Sequence, residues 1–288
     1  MTLDYQSFAD AFFEACDAGD LQKTQEGLKS GRLTAEDLEE GLTSATEMAY
    51  SDLVAAFFNA GARVTPKTMH ALPGYPGVEQ KASVIRHYLD HGLDPNGTCR
   101  SDSPLLVYVS DFWAEYREIV TDSRNSEIED PGCARELILA GADPNRAGRR
   151  GLTPLTRAIG SRKGTSLAEM LLAHGARLEP ELLFTAVDSR MPLGELMTKF
   201  LLEKGLDPNM TSAEWGNPLH CAIYSAKPGA VEALLDAGAD PTGKSAHPEY
   251  RGRSPLQMAQ GIIFPERRQA ILSLLESRGV GIGGGGDE

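Results

Sequence analysis

No cysteine in this sequence has a partner at a recognisable spacing. Cys16, Cys99, Cys133 and Cys221 are scattered, with no CxxC pair, so neither a zinc cluster nor a disulfide framework is implied. That pattern suits a reducing, intracellular compartment, cytoplasmic or nuclear. Long apolar runs are missing too. Hydrophobic residues make up 41% of the chain but are broken by charge at short intervals, and no run approaches the roughly 20 residues that cross a bilayer. Basic charge is in deficit, 28 Lys and Arg against 41 Asp and Glu, and the resulting −13 repels a nucleic-acid backbone unless a local stripe overrides it. The opening MTLDYQSFADAFFEACDAGD has acids where a secretory signal carries bases and lacks an unbroken apolar core, which argues against export by that route.

Catalytic signatures are also lacking. There is no nucleophile elbow, phosphate loop, dinucleotide fingerprint or HExxH. The glycine-rich GIGGGG precedes no helix and so cannot cradle a phosphate. Among six histidines, His91 and His174 stand just before glycines, where a basic group suits the negative end of a helix. His87 and His91 are four apart, a spacing that could offer zinc two ligands, but no motif supplies a third. No enzyme activity, cofactor or metal is expected.

What the chain does have is a recurring phrase: HGLDPN at 91–96, AGADPN at 140–145, KGLDPN at 204–209 and AGADPT at 237–242. With looser copies included, the glycines are Gly31, Gly61, Gly92, Gly141, Gly175, Gly205, Gly238 and Gly279. Their intervals are 30, 31, 49, 34, 30, 33 and 41, a period near 33 with two insertions. Apolar residues at helical spacing precede each glycine, which predicts a helix that stops there on a left-handed residue. A second phrase, SPLL at 103–106, TPLT at 153–156, NPLH at 217–220 and SPLQ at 254–257, predicts a helix start, with an N-cap followed by proline in the first turn. One turn on sits a column of small residues: Ala15, Ala45, Ala71, Ala158, Ala186, Ala222 and Ala259. Only Tyr108 breaks it.

A TPL-opened short helix, a second helix ending in leucines, then GAD and a polar stretch resemble the ankyrin repeat over nearly the whole chain, best at 145–178 and 209–241. The TPLH phrase is degenerate or absent in the first three units and the sixth. The resemblance implies an all-α solenoid of about eight helix pairs with short β-hairpin fingers, running as one array over 1–280. Residues 281–288 read as a flexible tail. It also implies that His220, in NPLH, hydrogen-bonds within its turn.

The spacing from each glycine to the next small residue measures the finger. It is 14, 10, 16, 17, 11, 17 and 21 for the second to eighth units, so the third and sixth are too short for a full hairpin. A notch is expected at the sixth unit, with no hairpin over 176–181. The longest interval holds an insertion near 111–132, expected to lengthen the first helix through Phe112, Trp113, Tyr116 and Ile119 before an acidic loop.

One stretch runs against the acidic total: between Pro144 and Leu167 stand Arg146, Arg149, Arg150, Arg157, Arg162 and Lys163, and no acid. The resemblance places Arg149, Arg150 and Leu152 on a finger tip and Gly160 and Ser161 on the concave side of the first helix, and Arg157 of the basic stretch is counted with them as a candidate contact. The matching positions in later units are Glu214, Trp215, Tyr224, Arg251 and Arg253. Arg, Trp and Tyr are the residues that most often anchor interfaces. The expected function is an adaptor, a monomer that binds a protein or acidic peptide on these residues, with no membrane or nucleic-acid role. The alternative is a non-standard enzyme or small-molecule binder using the sixth-unit notch, with Tyr224, Asp188 or Arg157 as its polar groups.

Overall fold

A computed structural model describes residues 4–75, 78–99, 103–110, 131–161, 164–188, 191, 193–212, 216–245 and 250–280. The expected insertion helix and the glycine-rich tail lie outside these residues, apart from Pro131 and Gly132. Sixteen α-helices are present among the described residues, and they form eight consecutive pairs. The pairs are α1 (Tyr5–Asp17) and α2 (Leu21–Lys29), α3 (Ala35–Glu47) and α4 (Ser51–Asn59), α5 (Pro66–Ala71) and α6 (Ala82–Asp90), and α7 (Leu105–Ser110) and α8 (Gly132–Leu139). They continue with α9 (Pro154–Gly160) and α10 (Ser166–Ala173), α11 (Leu182–Val187) and α12 (Gly194–Glu203), α13 (Pro218–Tyr224) and α14 (Pro228–Asp236), and α15 (Pro255–Gln260) and α16 (Pro265–Ser277). The fold is an all-α repeat solenoid.

The chain forms two compact units, Met1–Arg157 with Ala173–Ala176, and Ala158–Leu172 with Arg177–Glu288. In the first, α1 packs on α3, α3 on α5, and α2, α4, α6 and α8 make a second row. In the second, α11, α13 and α15 form one row and α12, α14 and α16 the other. A single pair buries too little apolar surface to persist alone, and stacking completes the core.

Short helices need defined ends. Asn217 and Ser254 cap α13 and α15 by accepting the N–H groups of His220 and Gln257, with Pro218 and Pro255 in the first turn. Thr65 does the same for α5, so the degenerate TPKT of the third unit is a working start signal. All eight stop glycines have positive φ, as Gly141 illustrates at 97°. A Cβ there would clash with the backbone, and glycine has none. The alanine column is buried throughout, and Tyr108 is half-buried, since its side chain is too large for the seat.

The fingers are abbreviated. In the fourth unit Thr98 bridges Pro104, and in the seventh Ser212 bridges Gly216. The fifth closes through the Gly148 N–H on the Leu152 carbonyl at 2.9 Å, and the eighth through the Ser245 N–H on the Arg253 carbonyl at 2.9 Å. Residues 176–181 form no hairpin, and the third unit passes directly from Gly61 to the Thr65 cap. The second repeat corrects the spacing argument. Its 14-residue allowance would hold a finger, but Thr34 and Asp37 form a capping box that starts α3 at Ala35 and consumes it.

Candidate protein-interaction surface

The residues proposed from sequence divide between the two units, and each is described within its own. In the first unit, Arg149, Arg150 and Gly151 form a single 3-10 turn at the fifth unit's finger tip. Both arginines are exposed and Leu152 is half-buried. Arg150 holds φ 59° and ψ 22°, left-handed values that a side-chain-bearing residue adopts at a cost of about 1 kcal/mol. Arg146 is committed differently, donating to the Asn96 carbonyl one repeat earlier. Arg157 is half-buried on α9.

In the second unit, Ser161 is buried and corrects the expectation that it lines the surface. Its N–H closes the end of α9 on the Ala158 carbonyl at 3.2 Å, which turns the residue into the fold. Glu214 and Trp215 lie outside the described residues. Tyr224, Arg251 and Arg253 are exposed. Tyr224 ends α13 with 63% of its surface accessible, and its ring meets Tyr250 at a centroid separation of 5.2 Å. The Arg253 guanidinium lies over the Tyr250 ring, 5.7 Å from its centre. Tyr224, Tyr250, Arg253, Met258 and the 261–264 loop line a groove of about 310 Å³.

Sequence reasoning missed Tyr250, Ile263 and Phe264. The signal available was an Ile-Phe pair placed between two helices, where the chain should be polar. That pair is exposed, at 81% and 53%.

Two of the histidines, His91 and His220, have structural partners. His91 Nδ1 contacts the His87 carbonyl at 2.7 Å, and its ring stacks on Phe58 at 4.3 Å. His220 is buried with its Nδ1 on Asn217 Oδ1, and burial pulls its pKa below the usual imidazole value. Among the described residues no three His, Cys, Asp or Glu side chains are grouped to hold a metal ion.

Of the groups named for the alternative site, Arg157 belongs to the first unit and Asp188 and Tyr224 to the second. Asp188 and residues 176–181 lie at opposite ends of α11. Lys227 Nζ donates to the Asp188 carbonyl and, at 3.0 Å, to the Met191 carbonyl, a helix-end cap rather than a poised nucleophile. Burial depresses the Lys227 pKa. Asp188 does not line the groove beside Tyr224. No helix among the described residues is long and apolar enough to cross a membrane.

Residues 186–235 match the family described as ankyrin repeats (many copies). Ankyrin repeat and SOCS box protein 16 of Mus musculus is 30% identical over 131 residues, covering 43% of this chain. The match spans only 21% of that relative's own length. The human ASB11 ankyrin repeat domain superposes with a TM-score of 0.46 and 19% identity, over 91% of this chain and 96% of that one.

Proposed function

We propose that this chain, an ankyrin repeat protein, is an intracellular adaptor that holds a protein partner rather than catalysing a reaction. Ankyrin repeats are in general protein-interaction modules. The observation that carries the finer reading is the turn Arg149–Gly151 in the first unit, where two exposed arginines, one of them left-handed, follow each other at a finger tip. Backbone strain of this kind persists where the surroundings fix it, and it clusters at recognition sites. Paired guanidiniums favour carboxylates, which they bind through directed, charge-assisted hydrogen bonds. The partner is therefore read as a protein segment rich in Asp or Glu, and the array as one scaffold over 1–280.

The test is affinity capture from native extract with the chain and its Arg149→Glu, Arg150→Glu double variant. Exposed substitutions of this kind should shift stability by no more than about 0.5 kcal/mol. The expected result is loss of the captured partner with the unfolding midpoint retained. Capture at equal yield by both forms would remove the finger from the site.

A further inference from the structure

We propose that the groove between α13, the eighth unit's finger and the 261–264 loop docks a short linear protein segment bearing a bulky apolar side chain next to a carboxylate. The inference rests on the reading of this chain as a recognition module, but not on the Arg149 finger.

Three observations converge on the groove. Of the seven large hydrophobic side chains exposed among the described residues, three, Tyr224, Ile263 and Phe264, line this one groove. Scattered exposed hydrophobics are ordinary, whereas a cluster marks a binding surface. Its volume of about 310 Å³ suits one or two side chains and lies at the small end of ligand sites, about 300–1,000 Å³.

The second observation concerns charge. Arg253 lies over Tyr250 at 5.7 Å and Arg267 over Phe264 at 5.3 Å, so two aromatic rings of the groove each carry a guanidinium. Among the described residues neither arginine meets a carboxylate. Stacking leaves a guanidinium's in-plane N–H groups free to take one. Third, residues 244–268 hold five basic and two acidic side chains in a chain of net charge −13, so the basic character is local.

Together these features define the occupant. An apolar side chain would sit against Tyr224, Ile263 and Phe264, and a neighbouring Asp or Glu would pair with Arg253 or Arg267. A second copy of this chain fits poorly, because an isologous contact would set these arginines against themselves. A nucleic acid would satisfy the rings and guanidiniums but meets the acidic field of the whole chain.

Selection of a displayed library of random twelve-residue peptides on the full chain tests the proposal. Enriched peptides should pair a Leu, Ile, Phe or Trp with an Asp or Glu within about three residues. By fluorescence anisotropy, a selected peptide should bind at least tenfold more weakly to Arg253→Glu, to Tyr224→Ser and to Ile263→Glu. These positions are all exposed, and the unfolding midpoint of each variant is measured alongside. The Arg149→Glu, Arg150→Glu variant should bind the peptide as the parent does. No enrichment, enrichment without acidic residues, or binding that survives these substitutions overturns the proposal. So does tighter binding of labelled single-stranded dT12, or a concentration-dependent dimer broken by the same variants. Peptides lost only in the Arg149 and Arg150 variant would sink the groove and leave the adaptor reading standing.

Discussion

Asn96 ties its own repeat to the next: its Nδ2 donates to the Gly141 carbonyl at 3.0 Å, and its Oδ1 accepts the Asp143 N–H at 2.8 Å. The phrase that carries it is built for this purpose. Asp94 Oδ1 accepts the Asn96 N–H at 2.9 Å, closing a turn that projects the amide across to the neighbour. Asn209 repeats the arrangement on Gly238 and Asp240, at 2.9 and 2.7 Å, and Asn145 reaches Gly175 at 2.9 Å. The recurring Asp-Pro-Asn is therefore a joint between repeats as well as a turn.

Asn96→Ala removes both bonds and leaves backbone groups of the following repeat to water. At about 1 kcal/mol per hydrogen bond, the loss should be about 1–2 kcal/mol. Urea denaturation followed by circular dichroism should show a lower midpoint, and Asn209→Ala should behave alike. An unchanged midpoint in both would mean that the joint is not a stabilising contact.

Gly41 shows how tightly the first unit is packed. A Cβ at Gly41 would lie 2.3 Å from Phe57 Cζ and 2.6 Å from Cε1. Phe57 is fully buried and meets Phe12 edge-on at 6.0 Å, so the ring has nowhere to go. Gly41→Ala gains about 1 kcal/mol of helix propensity, but overpacking costs about 1–3 kcal/mol. The expected sign is a lower unfolding midpoint, partly restored by adding Phe57→Leu. A midpoint raised by Gly41→Ala alone would show that the ring yields freely.

The periodic features were legible in the sequence because each is local. A glycine that must take positive φ and an alanine that must fit beneath a neighbouring helix are fixed by their own repeat, so Gly141 and Ala158 could be placed by counting. The missing hairpin at 176–181 followed from the same count. Counting failed in the second repeat, where the Thr34 and Asp37 capping box decided the boundary by side-chain chemistry rather than by length. It also failed at Ser161, which the helix end turns inward. The groove was only half visible. Tyr224 and Arg253 stood out as residue types, whereas their juxtaposition with Ile263 and Phe264 depends on three separate turns converging, which no spacing in the chain encodes.

His220 makes stability depend on pH. Burial lowers its folded-state pKa below the ordinary value of 6.5, and the unfolded chain restores that value. Below pH 6.5 the unfolded state therefore binds the proton more readily. Stability from this residue is complete above that pH and falls as pH drops through it. The difference in urea midpoint between pH 7.5 and pH 5.5 should be smaller in His220→Gln than in the parent. Equal pH dependence in the two would assign the effect to other groups.

Burial also sets the reactivity of the thiols. It pushes Cys16 up to about 11 and Cys221 up to about 12, while Cys133 directs its Sγ to the Gln80 carbonyl at 3.3 Å. The nucleophile is the thiolate, so at pH 8 Cys16 presents only about a thousandth of its population in reactive form, against roughly a quarter for an exposed thiol of pKa 8.5. Ellman's reagent at pH 8 should label Cys16 and Cys221 slowly in the folded chain, and all four cysteines promptly once the chain is unfolded in about 6 M guanidinium. Because labelling then waits on opening of the repeats, Asn96→Ala and Gly41→Ala should each speed modification of Cys16 in proportion to the stability they remove. Rapid labelling of Cys16 in the intact parent would show that the first repeat opens independently of its neighbours.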